Sequence, residues 1–177
     1  MNAHWLGPDL VRTNQPSPRQ LAYWKAQGIR TVINLRGARD EAYYALEKEA
    51  CERLGLTLID APLDSRDPPE TDRIHRARRL FTTIEYPVLI HCKHGQNRTG
   101  LIAAMYRIVY QGWSRQQAID EMREGGFGGR ERFEDAERYL QQVDLVRFRA
   151  ALDSGACSTS PWAYCVLKEK VFQALNE

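Results

Sequence analysis

The sequence predicts an α/β fold: a central, mostly parallel sheet flanked by helices. Strand-like runs in "IRTVINL", "LTLIDAPL" and "PVLIHC" alternate with segments of helical period. The last run is almost wholly apolar, the pattern of a central strand covered on both faces. At 177 residues, 43% of them apolar, the chain suits one domain with a substantial core. The C-terminal half reads as helical.

The elements follow in order. "SPRQLAYWKAQG" predicts a helix with Ser17 as N-cap, Pro18 at the first helical position and Gly28 as the C-cap candidate. Arg30 to Leu35 alternates and is β-branched, so it reads as a strand. A helix from about Asp40 to Leu54 closes at Gly55, and "LTLIDAPL" gives the next strand. "DSRDPPE" is a turn-rich loop, because Pro68 and Pro69 cannot join a ladder. From Pro69 to Ile84 the apolar residues Ile74, Ala77, Phe81 and Ile84 fall at helical spacing. "PVLIHC" is a strand, "RTGLIAAMYRIVYQG" an apolar helix, and "SRQQAIDEMREGG" a helix capped by Ser114. "GGFGG" reads as a flexible link, Arg130 to Leu152 as a long amphipathic helix, and a last helix enters through Ser160 and Pro161. No repeat or linker divides the chain, so 1–177 is read as a single domain.

Composition excludes several classes. With 25 basic and 23 acidic residues the net charge is +2, which gives no footprint for nucleic acid. No apolar run reaches membrane-span length, and "MNAHWLGPDLVRTNQ" lacks the basic-then-apolar order of a signal peptide, so the cytoplasm is the expected compartment. Cys51, Cys92, Cys157 and Cys165 show no CxxC spacing, so no zinc site is expected.

The stretch "VLIHCKHGQNRTGLIAAMY" carries the chemistry. Its polar middle, Cys92 to Asn97, falls between a strand end and a helix start. Open α/β sheets bind ligands there. A helix N-terminus presents unpaired N–H groups and the positive end of a dipole, and so suits an anion. The same groups would hold Cys92 as thiolate, which predicts a depressed pKa. Arg98 supplies a planar, permanently charged fork for two phosphate oxygens. A buried packing cysteine is the plain alternative, but it leaves the arginine and the polar loop unexplained.

"HCKHGQNRTG" resembles the H-C-x5-R-[S/T]-G signature of the protein tyrosine phosphatase superfamily, in its compact, bacterial-type dual-specificity form. "PSPRQLAYWKAQGIRTVINLRG" and "AAMYRIVYQGWSRQQAIDEMREGGFGG" are similar to the flanking segments of bacterial members. The resemblance covers a core of about residues 10–145 and leaves a helical extension of about 152–177 unmatched. It implies the dual-specificity phosphatase fold and hydrolysis of phosphate monoesters on phosphotyrosine, and also on phosphoserine or phosphothreonine, through a cysteinyl phosphate. It makes Cys92 the nucleophile and Arg98 the oxyanion clamp. Lys93, His94, Gly95, Gln96, Asn97 and Arg98 would bind phosphate, with His91 orienting the loop and Thr99 steadying the thiolate. Neither metal nor other cofactor is implied. The implied partner is a phosphorylated protein or a small phosphoester.

The family takes its general acid from an upstream aspartate. "DAPLDSRDPPE" offers Asp60, Asp64 and Asp67. Asp60 reads as still within the strand. Asp64 is the first choice and Asp67 the alternative, because Asp67 precedes Pro68-Pro69 and also suits a helix cap. Lys93 after the cysteine resembles phosphoinositide phosphatases, but Gln96 stands where those carry a second lysine. An inositol or lipid phosphate is therefore the second-ranked substrate. A non-catalytic phosphate-binding module is the alternative from another class, and sulfur or arsenate chemistry ranks below both. Arg12 stands where the resemblance implies an arginine near the pocket, though a surface arginine is the plainer reading, and Cys51 reads as a packing cysteine that could in principle trap an oxidised Cys92. Tyr43 and Tyr44 are candidates to shape the pocket.

Overall fold

A computed structural model of the chain describes residues 2–63, 84–125, 127 and 133–146. Asp64, Asp67, the expected helix after Pro69 (Ile84 excepted) and the expected last helix lie outside these residues.

Five strands form one sheet in the order β1-β2-β5-β3-β4. They are β1 (His4–Trp5), β2 (Leu10–Asn14), β3 (Thr31–Asn34), β4 (Thr57–Asp60) and β5 (Val88–Cys92). All neighbours pair in parallel except β1 and β2. The residue patterns had not marked β1 and β2 as strands. β5, buried at every position, is the central strand that its apolar run predicts. β4 lies at the edge, with Thr57 and Asp60 exposed.

The period of two divides the core. Val11, Val32 and Leu89 face α1 (Pro18–Ala26) and α2 (Ala42–Leu54), where they meet Leu21, Trp24, Ala50 and Cys51. Leu10, Ile33, Val88, Ile90 and Cys92 face the other way, against Ile102 and Ala103 of α3 (Asn97–Tyr110). The opposite side of α3 packs on α4 (Arg115–Glu124) and α5 (Glu134–Gln142) through Met105, Ile108, Ile119, Met122 and Leu140.

Local chemistry sets the ends. Ser17 and Ser114 each close a capping box, with Gln20 and Gln117 as the reciprocal partners. Gly55 ends α2 at φ 62°, in the left-handed region. Two expectations are corrected. The long helix expected over Arg130 to Leu152 is broken after Gln142, where Val143 turns to ψ 124°. There Arg115 binds the Gln141 and Val143 carbonyls, satisfying groups the helix leaves unpaired. Phe127, in the middle of the supposed flexible link, is buried. No helix among the described residues is long and apolar enough to cross a membrane.

Candidate active site

Register builds the site. Asn14 pairs with Cys92, and Asn34 with His91, so β2, β5 and β3 end at one level. The segments that follow them crowd one edge of the sheet: Gln15 donates its N–H to the Lys93 carbonyl at 3.2 Å, and Leu35 to the His91 carbonyl at 2.9 Å.

Between β5 and α3 the chain turns in four residues, Lys93 to Gln96. Gly95 makes the turn possible. Its φ is +73°, and a Cβ there would lie 2.8 Å from the Thr13 carbonyl group and the Asn14 nitrogen. The loop therefore rests directly on the backbone of β2. Lys93 and His94 face solvent, and Gln96, Asn97 and Arg98 are half-buried.

Cys92 is a free, buried thiol beneath this loop. Burial pushes its pKa up. The Thr99 hydroxyl and amide, the Arg98 guanidinium and the Gly95 amide outweigh burial and hold it below the ordinary value. The direction agrees with the depressed thiol expected from sequence. The Thr99 hydroxyl is fully buried beside the Cys92 sulfur, where it favours the thiolate. Arg98 makes a long 3.4 Å contact from Nη1 to the Leu35 carbonyl, beside the mouth of the loop.

His91 points to the other face of the sheet. Its Nε2 lies 2.7 Å from Glu47 Oε1 of α2, with both side chains fully buried, and its Nδ1 is 3.4 Å from the Cys92 carbonyl. Glu47 escaped the sequence reading. Its position was legible, because Glu47, Ala50, Cys51 and Leu54 repeat at the spacing of a buried helix stripe.

Arg12 is a correction. It is 1% exposed, not a surface residue, and its Nη2 donates to the Gly95 carbonyl at 2.8 Å. Cys51 packs as expected, on the face of the sheet away from Cys92, and burial pushes its pKa up to about 12. Of the upstream aspartates only Asp60 is described. It accepts from the Tyr44 hydroxyl at 2.5 Å and from Asn34 Nδ2 at 2.9 Å. Tyr43 lies under the Arg36 guanidinium, 3.5 Å from Cζ to the ring centre. Among the described residues no group of three His, Cys, Asp or Glu side chains could hold a metal ion.

Comparison with known proteins decides the family. A family model described as a DSP-PTPase phosphatase fused to NAD+ kinase matches residues 7–139. The chain belongs to the dual-specificity phosphatases. Among curated phosphatases of this family, dual specificity protein phosphatase TpbA of Pseudomonas aeruginosa strain PAO1 is 37% identical over 177 residues, which cover 99% of this chain and 78% of TpbA. The crystal structure of P. aeruginosa TpbA in complex with pTyr superposes with a TM-score of 0.77 at 32% identity, covering 87% of this chain and 91% of that one. Inositol diphosphatase DSP3 of Arabidopsis thaliana is 25% identical over 149 residues, 81% of this chain and 70% of the plant protein. A dual-specificity phosphatase sheet thus carries the Cys92 loop of this chain.

Proposed function

We propose that the chain hydrolyses phosphate monoesters of phosphotyrosine in proteins, with phosphoserine and phosphothreonine as further substrates, through a cysteinyl phosphate. The observation that carries this reading is the buried Cys92 at the end of a central strand, with Thr99, Arg98 and the Gly95 amide around its sulfur and its pKa held below the ordinary thiol value. A pTyr-bound relative of the same fold supports the choice of ester.

In the first step the Cys92 thiolate attacks phosphorus. An S–P bond forms, the P–O bond to the leaving group breaks, and the oxygen takes a proton from an upstream carboxylic acid, assigned to Asp64. Loop amides and the Arg98 fork stabilise the equatorial oxygens as charge redistributes. Arg98 is well placed to swing to them, since its 3.4 Å contact with Leu35 holds it only weakly. In the second step water attacks phosphorus and gives its proton to the Asp64 carboxylate. The S–P electrons return to sulfur, where the Thr99 hydroxyl supports the thiolate.

The test is hydrolysis of an aryl phosphate and of phosphotyrosine peptides by the native chain and by Cys92→Ser. The native chain turns over and the variant does not. Turnover that survives the substitution, or phosphopeptide binding without turnover by the native chain, refutes the reading.

The exposed Lys93 beside Cys92, together with the inositol diphosphatase relatives, favours inositol phosphates as the second reading. The same assay run with inositol phosphates separates the two by kcat/KM.

A further inference from the structure

Arg12 is among the largest fully buried side chains of the protein, yet its Nε and Nη1 have no hydrogen-bond partner among the described residues. A guanidinium carries five N–H donors, and burying it this incompletely is costly. Packing alone is poor compensation, since an apolar side chain would fill the same space without that penalty.

The hydrogen bond its side chain makes among the described residues is informative. Nη2 takes the Gly95 carbonyl at 2.8 Å, from behind the loop. The Gly95–Gln96 peptide is trans, so its N–H points opposite to its C=O. Drawing the Gly95 carbonyl back toward Arg12 turns the Gln96 N–H forward, to the side where the anion would lie. Gly100 completes the fit: a Cβ there would stand 3.4 Å from Nη2.

The guanidinium is itself clamped. Its Cζ lies 3.6 Å from the centre of the Phe127 ring. Asn2 Nδ2 donates to the Phe127 carbonyl at 2.8 Å and to the His94 carbonyl at 3.2 Å, tying the ring's backbone to the loop. His4 meets the same ring edge-on at 4.5 Å.

We infer that Arg12 is a positioning residue for the proposed phosphatase reaction: seated on Phe127, it holds the Gly95 carbonyl back so that the Gln96 amide faces the phosphate. This rests on the reading of the Cys92 loop as the phosphate site. Among the described residues the titratable groups facing Arg12 are Glu121 of α4, Arg107 of α3, Cys92 of β5 and His4 of β1, whose pKa burial and Arg12 lower. Burial lowers the Arg12 pKa to about 10, with Glu121 and Cys92 opposing the shift, so Arg12 stays a cation at neutral pH.

The test compares the native chain with Arg12→Met, Arg12→Lys and Phe127→Leu. Two readouts are used: binding of inorganic phosphate, and the pH midpoint of Cys92 alkylation followed on its peptide by mass spectrometry. Arg12→Met should weaken phosphate at least tenfold and raise the midpoint. Arg12→Lys should keep the midpoint near native and lose less affinity. Phe127→Leu leaves the arginine but removes its seat, and should weaken phosphate about threefold; it decides the matter alone if both Arg12 variants fail to fold. Folded variants that bind phosphate within twofold of native, with an unchanged midpoint, overturn the inference. If the native chain binds phosphate and responds to these substitutions but hydrolyses no ester, the phosphatase reading falls and the role of Arg12 stands.

Discussion

Glu47 Oε1 lies 2.7 Å from His91 Nε2, and neither side chain reaches solvent. The pair joins α2 to the strand that ends in Cys92. Removing one partner leaves the other buried without compensation. Glu47→Ala should cost about 3 kcal/mol of stability, by the usual effect of breaking a buried pair. Glu47→Gln keeps a polar group of the same shape against the ring without the charge and should cost less, about 1 kcal/mol. Urea denaturation midpoints at constant slope measure both, and an alanine variant as stable as native refutes the pairing.

Gly95→Ala meets two obstacles at once. The φ of +73° is strained for alanine, and the new Cβ would stand 2.8 Å from the β2 backbone. Strain of this kind costs about 1–3 kcal/mol. The loop must lift to relieve it, which misplaces the amides around Cys92. The expected result is a folded protein with a lower Tm and kcat/KM reduced at least tenfold, measured on an aryl phosphate. Unchanged turnover would show that loop geometry tolerates the shift.

The Cys92 pKa sets a pH dependence. Burial opposes ionisation, but Thr99, Arg98 and the Gly95 amide win, and the folded value falls below the ordinary 9.0. The unfolded chain therefore binds this proton more tightly than the folded one. The contribution is full above 9.0 and is lost as pH falls through the depressed folded value. Cys51 behaves oppositely: its contribution holds below 9.0 and is lost as pH rises towards about 12. Cys92→Ser should flatten the rise of stability with pH below 9.0. The acid limb of kcat/KM in the native enzyme should likewise fall below the free-thiol value. Parallel stability curves for native and Cys92→Ser would contradict the shift.

The general acid divides three aspartates. Asp60 is held by Tyr44 and Asn34, and burdens the Tyr44 hydroxyl enough to push its pKa up to about 12. It is occupied as an acceptor, so Asp60→Asn should leave the leaving-group dependence of kcat unchanged. Asp64→Asn should lower kcat about 10²-fold for poor leaving groups and little for good ones. Asp67→Asn should change kcat little. A leaving-group series across the three variants reads this directly, and the pattern falling on Asp67 would reassign the acid.

The mostly parallel sheet, the central strand and the helix starts were largely legible because each has a local cause. β5 opens with three consecutive apolar residues, Val88 to Ile90, Ser17 and Ser114 sit before glutamines that complete a capping box, and Gly55 can adopt a left-handed φ. β1 and β2 were not marked, since β1 is two residues long and Arg12 and Asn14 interrupt the apolar run of β2. Charge misled at Arg12 and Glu47. Both occupy core positions, and the partners that make this tolerable, the Gly95 carbonyl and His91, are distant in sequence. The break at Val143 had the same origin, because the carbonyls freed there bind Arg115 from another helix.

The central strand is also the last strand of the described residues to be synthesised. β3 and β4 can pair while the chain is still growing, but β2 meets no parallel neighbour until residues 88–92 emerge. A nascent chain halted before that point carries two unfinished sheet edges lined by Leu10, Val11, Val32 and Ile33, an invitation to aggregation. Insertion of β5 closes both edges in one event, so the reactive sulfur and a sealed sheet arrive together, late, and through contacts of long sequence separation that slow folding.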